Sequence, residues 1–190
     1  MNKKGTILIV DDRIEEKIGT FRQYLDIEGF NVEIAEDLKK ADKLLSDLIK
    51  SNKLDGLILD LSFPVSKEDP SVTTEENIPC GVSLFRKHEF KLRNKMIPIV
   101  LNSTADEEFK RKYFGNIEKS NTLMYNVDVQ SNPLTRPTGN LIKEIIGMFN
   151  KRSEDRNLAN SIKADNSLRT GKAIVQGQDG KYHYSRYDGD

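Results

Sequence analysis

Thr6-Ile7-Leu8-Ile9-Val10-Asp11-Asp12 is a run of aliphatic and β-branched residues that stops abruptly on two acids. A strand without polar alternation is buried on both faces, as in parallel sheets covered by helices. Leu54 to Leu59, broken only by Asp55-Gly56, repeats the pattern and stops at Asp60, and Ile97-Pro98-Ile99-Val100-Leu101 is a further apolar strand. Arg13 to Glu28 sets Ile14, Ile18, Phe21, Tyr24, Leu25 and Ile27 at three- and four-residue spacings, with Gly29 as a helix stop. Phe30 to Ala35 alternates like a strand, and Glu36 to Lys50 returns to helical spacing through Leu38, Ala41, Leu44, Leu45 and Leu48. Gly81 to Leu92 reads as a helix carrying Val82, Leu84, Phe85 and Phe90. Helical spacing over Asp106 to Phe114, an extended segment over Leu123 to Val129 and a helix over Asn140 to Phe149 follow. Strands alternating with helices predict an α/β fold over residues 1–150: a doubly wound, five-stranded parallel sheet in the order 2-1-3-4-5, the flavodoxin-like class.

From Lys151 to Asp190 large aliphatic residues are too sparse for an independent core. This tail is expected to extend the last helix and then form a hairpin, Lys172 to Val175 with Lys181 to Tyr187 around Asp179-Gly180. Such a hairpin is expected to dock on the domain, a second copy or a partner. Val65 to Cys80 holds Pro70, Pro79 and several charges without periodicity, and is expected to be a long, mobile loop.

Thirty basic residues balance thirty acidic ones, so no net field favours nucleic acid or an anionic membrane. The single cysteine, Cys80, excludes an intramolecular disulfide and a cysteine-rich metal site. No apolar run approaches the ~20 residues that span a bilayer, and Met1 to Gly5 leads into too short an apolar stretch for a signal peptide. A cytoplasmic location is expected. His88 and His183, with no partner at ligand spacing, read as surface residues.

Doubly wound sheets carry their sites beyond the carboxyl ends of the strands, where the strand order reverses. Asp11, Asp12 and Asp60 end strands that are neighbours in the 2-1-3-4-5 order, so their carboxylates converge. Converging acids repel, and a hard divalent cation with oxygen ligands relieves them, which points to Mg²⁺. A carboxylate beside such a cation can attack a phosphoryl donor.

The runs Ile7 to Asp12 and Leu57 to Pro64, the helix start Gly81-Val82-Ser83-Leu84 and the run Ile97 to Ser103 resemble, in order and spacing, the receiver domains of response regulators, over Lys4 to about Asn150. The resemblance implies a two-component or phosphorelay protein. Asp60 would be its phosphoacceptor, Asp11, Asp12 and Asp60 its Mg²⁺ acids, and the backbone carbonyl of Ser62 a further ligand. The family's switch hydroxyl at the end of strand four falls on Ser103, counting from Pro98, or on Thr104 if the strand holds an extra residue. The family's lysine before a proline has its nearest counterpart in Arg136-Pro137, with Lys119 as the alternative. Arginine keeps the charge but presents a planar fork in place of a compact ammonium, and Arg136 also reads as an ordinary solvent-facing arginine.

The partners implied are a histidine kinase or phosphotransfer protein and a downstream protein, with a homodimer as one arrangement of the tail. The protein is read as a signalling receiver and not an enzyme beyond self-phosphorylation and self-dephosphorylation. A pseudo-receiver that binds a partner without regulated phosphorylation is the alternative. A Mg²⁺-dependent phosphohydrolase would carry an acid two residues after the nucleophile, where Ser62 stands.

Overall fold

The computed structural model describes residues 4–102, 108, 112–113, 124–126, 139–164, 172–176 and 182–186. By contacts the chain divides into two compact units, Met1–Ser153 and Glu154–Asp190. In the first, β1 (Thr6–Val10), β2 (Asn31–Ala35), β3 (Leu54–Leu59) and β4 (Ile99–Leu101) form a parallel sheet in the order β2-β1-β3-β4. The strands alternate with α1 (Ile14–Ile27), α2 (Leu38–Lys50) and α3 (Cys80–Asn94), the α/β arrangement of a doubly wound sheet. A short segment, β5 (Met124–Asn126), registers beside β4 from Ile99↔Met124 to Leu101↔Asn126.

Every residue of β1 and β3 is buried, as a sheet covered on both faces requires. Leu8, Val10, Leu57, Leu59, Ile99 and Leu101 face Ala41, Leu45 and Ile49 of α2 and Val82, Phe85 and Leu92 of α3. On the opposite face, Ile7, Ile9, Ile58 and Val100 pack with Phe21 and Leu25 of α1 and with Ile145, Ile146 and Phe149 of α4 (Gly139–Ala164).

The interruption Asp55-Gly56 has a structural reason in each residue. Buried Asp55 accepts the Thr6 N–H through Oδ2 at 3.2 Å, where the β1–β3 register shifts between Thr6 and Ile7. Gly56 lies under Phe149, and a Cβ there would meet the ring, with Cζ at 2.9 Å. Phe149 in turn meets Phe30 edge to face, with centroids 6.3 Å apart.

The last helix runs from Gly139 to Ala164, so the segment after Lys151 begins as helix. In the second unit β6 (Lys172–Gln176) and β7 (Tyr182–Arg186) pair antiparallel, from Lys172↔Arg186 to Gln176↔Tyr182.

Two readings of α3 are corrected. Phe90, expected on the apolar stripe, is 76% exposed, whereas His88, expected at the surface, is 3% exposed. His88 stands four residues after Leu84 and four before Leu92, which places it on the buried stripe; Phe90, five residues after buried Phe85, turns away. His88 Nε2 meets Asp42 Oδ1 of α2 at 2.8 Å, and Lys87 Nζ donates to Asp42 Oδ2 at 2.8 Å. A polar clasp thus joins α2 to α3.

The stretch after β3 is a loop, as expected, and it is hydrogen-bonded along its length. Leu61 and Phe63 are buried, Leu38 and Lys39 at the start of α2 donate to the Pro64 and Val65 carbonyls, and Val65 donates to Ser71. Cys80 N–H reaches the Val72 carbonyl at 3.0 Å, and Thr73 bridges Pro79 across a turn at Asn77 with φ 57. Short polar side chains hold the rest, with Asp69 N–H donating to Ser66 Oγ at 3.1 Å and Ser71 N–H to Asp69 Oδ1 at 3.1 Å.

Burial raises the Asp42 carboxyl, but the hydrogen bonds and charges of Lys87 and His88 outweigh it and hold the group below its ordinary value of 3.8. A depressed carboxylate contributes stability above its unfolded value and loses it as pH falls through the folded one. Asp42→Asn is expected to cost about 1 kcal/mol at pH 7. Urea unfolding at a series of pH values should show the gap from the parent chain closing as pH falls below 3.8.

Candidate metal centre

The carboxyl edge of the sheet gathers the acids because three strands end in step. Val10 registers with Leu59, and Leu59 with Leu101. The ladder continues one residue further, with Asp60 N–H donating to the Val10 carbonyl and Asn102 N–H to the Leu59 carbonyl, both at 2.9 Å, and Asp11 N–H to Ala35 at 3.1 Å. Asp11, Asp60 and Asn102 therefore form one row across β1, β3 and β4.

One carboxylate oxygen from each of Asp11, Asp12 and Asp60 lies within 4.8 Å of the others. Asp11 and Asp60 are buried, at 1% and 4% exposure, while Asp12 is exposed. Asp11 Oδ1 accepts the Arg13 N–H at 2.8 Å, and the Arg13 guanidinium stands 3.8 Å from Asp12. Asp60 Oδ1 accepts N–H bonds from Leu61 at 2.6 Å and Ser62 at 3.3 Å, which fixes the plane of its carboxylate. Three hard oxygen donors at this spacing suit an octahedral cation such as Mg²⁺, which takes few carboxylates and keeps several waters. Charge points the same way, since three carboxylates so close repel without a cation.

Gly81 sets how closely α3 approaches. A Cβ at this residue would collide with the Asp60 carbonyl and lie 2.6 Å from the Leu61 Cα, and Gly81 N–H donates to the Leu61 carbonyl at 3.2 Å. Beside it the Cys80 thiol is pushed up to about 11 by burial, with the charge of Asp69 adding to the effect. At neutral pH it stays protonated, in keeping with a packing role.

Of the residues singled out in the sequence, the structure brings Asp11, Asp12 and Asp60 together and sets Ser62 beside Asp60 through its N–H. Ser103, Thr104, Lys119 and Arg136 lie outside the described residues. The sequence reading passed over Asn102, 1% exposed at the end of β4. Its signal was a polar residue one position past Leu101, in line with the position of Asp60 after Leu59.

No protein-family model matches the chain, and no curated relative matches it. Solved structures do match. The receiver domain of the Francisella response regulator 1452 is 19% identical, with a TM-score of 0.45, over 77% of this chain and 98% of that one. The BeF3-activated N-terminal receiver domain of Klebsiella pneumoniae RstA is 18% identical, with a TM-score of 0.47, over 76% of this chain and 97% of that one. A CheY-like response regulator receiver domain protein from Methanospirillum hungatei JF-1 is 18% identical, with a TM-score of 0.47, over 80% of this chain and 98% of that one.

Because backbone stands where a side chain at residue 81 would go, Gly81→Ala is expected to lose roughly 1–3 kcal/mol of stability. Gly147→Ala, with nothing within 4 Å of its added Cβ, is expected to be neutral or stabilising by about 0.5–1 kcal/mol. Denaturant unfolding of the two variants checks this, and equal stabilities would contradict the close approach at Asp60.

Proposed function

We propose that this protein is a phosphoacceptor receiver of a two-component or phosphorelay system, with Asp60 as the acceptor. The observation that carries the reading is a buried carboxylate at a strand end, held by two N–H bonds, with two further acids within 4.8 Å. Asp11, Asp12 and Asp60, with the Ser62 backbone carbonyl, would hold Mg²⁺. When bound, the cation supplies charge that offsets the transferred oxygens. A complete five-stranded sheet, in the order 2-1-3-4-5 with Met124–Asn126 as its edge, belongs to the same reading.

A carboxylate oxygen of Asp60 would be the nucleophile. It bonds to the phosphorus of a phosphohistidine as the P–N bond breaks, and the imidazole nitrogen leaves with the electron pair and takes up a proton. An acyl phosphate on Asp60 results. The donor would be a histidine kinase or phosphotransfer protein, and the readout a downstream protein or a second copy recognising the altered surface. Ser103 or Thr104 would serve as switch hydroxyl, and Arg136 as the cationic partner in place of the family's lysine. We place the protein in the cytoplasm; among the described residues no helix is long and apolar enough to cross a membrane. The receiver would occupy residues 1–150, and residues 151–190 would be an interaction segment.

Incubation with Mg²⁺ and a small phosphodonor, followed by intact mass measurement, is expected to show one added phosphoryl group. The gain should be absent without Mg²⁺ and in Asp60→Asn, and reduced in Asp12→Ala. A protein that binds Mg²⁺ but gains no mass would instead be a pseudo-receiver, a binding module that keeps the acids without the transfer.

A further inference from the structure

Asn102 is the one member of the terminal row that is not an acid. In β1, β3 and β4 the residues before the row, Val10, Leu59 and Leu101, belong to the α2 and α3 face. Strand alternation sends the next residue of each strand to the opposite side, that of Ile9, Ile58 and Val100. Asp11, Asp60 and Asn102 thus project to one side of the sheet edge, Asn102 beside Asp60 in register. The Asn102 side chain is 1% exposed, and among the described residues neither Nδ2 nor Oδ1 has a hydrogen-bond partner. An amide buried in this way carries its full desolvation penalty until something bonds to it. An incoming oxyanion needs hydrogen-bond donors, which ionised acids cannot supply because they only accept; a carboxamide offers two N–H donors.

Resting on the reading of Asp60 as acceptor, we propose that Asn102 is a further contact residue of this site, its Nδ2–H donating to an oxygen of the phosphoryl group held on Asp60. Asp11 and Asp12 then serve the cation, and Asn102 serves the anion. A neutral donor at this place recognises a tetrahedral oxyanion without competing with Mg²⁺ for the acids.

Beryllofluoride, which mimics a phosphoryl group on a carboxylate, is the probe, and the full chain is titrated calorimetrically with Mg²⁺ alone and then with beryllofluoride at saturating Mg²⁺. Asn102→Leu keeps the shape and removes the amide. It is expected to hold or raise the melting temperature, to leave Mg²⁺ affinity within about twofold, and to weaken beryllofluoride at least about tenfold, the loss expected for one hydrogen bond to a charged group. Asn102→Asp adds a carboxylate to the row and is expected to tighten Mg²⁺ while weakening beryllofluoride further. Beryllofluoride binding unchanged in either folded variant overturns the role of Asn102 and leaves Asp60 as acceptor. A parent chain that takes up Mg²⁺ but no beryllofluoride overturns both, and a weakened Mg²⁺ in Asn102→Leu assigns the amide to the cation and overturns its role toward the anion.

Discussion

Everything at the carboxyl edge depends on the parallel register that carries Val10, Leu59 and Leu101 to the same height. Side chains alternate along a strand, so a slip of one residue between β1 and β3 would turn Asp60 to the α2 and α3 face while Asp11 stayed on the other. Two features at the opposite end hold that register. Asp55 receives the Thr6 N–H where the pairing shifts, and Gly56 admits Phe149, whose ring a larger residue would displace. A sheet buried on both faces has strong reason to keep its apolar set inside, and the acids are placed by that same set.

The second constraint is the approach of α3. Gly81 brings the helix start against the Asp60 and Leu61 backbone, and the stretch from Leu61 to Cys80 is tied to α2 through Pro64 and Val65. The bed of Asp60 is therefore backbone held from two sides. A carboxylate whose Oδ1 already takes two N–H groups has little rotational freedom, and its orientation is set by folding.

The strands and the acid cluster were legible because their signal is short-range. An unbroken aliphatic run needs a two-sided burial, and an acid at its end can only lie at the edge. Periodicity along α3 was legible in part, since Leu84, Phe85 and Leu92 mark the stripe, but scoring by residue type sent Phe90 inward and His88 outward. Spacing would have placed both correctly, because His88 is four residues from two buried leucines. The hydrogen bonding within residues 65–80 was not legible, because the Ser66 and Asp69 side chains accept from nearby backbone N–H groups in a pattern that has no periodicity. Asn102 was passed over for a different reason: a polar residue after a strand reads as a loop, and only the ladder bond to Leu59 shows that the strand geometry continues through it.

The row Asp11, Asp60 and Asn102 also divides the site by burial. Asp11, Asp60 and Asn102 are withdrawn from solvent, while Asp12 is exposed and shares its charge with Arg13. On the reading of this cluster as a Mg²⁺ site, Asp12 would be the ligand nearest solvent and Asp11 and Asp60 the buried ones. The deeper a charge sits, the stronger its interactions, so the buried pair supplies most of the attraction and Asp12 mainly completes the set. The neutral amide at the far end of the row keeps the buried negative charge at two carboxylates, which one divalent cation balances. A third buried acid there would leave an uncompensated charge beside Asp60.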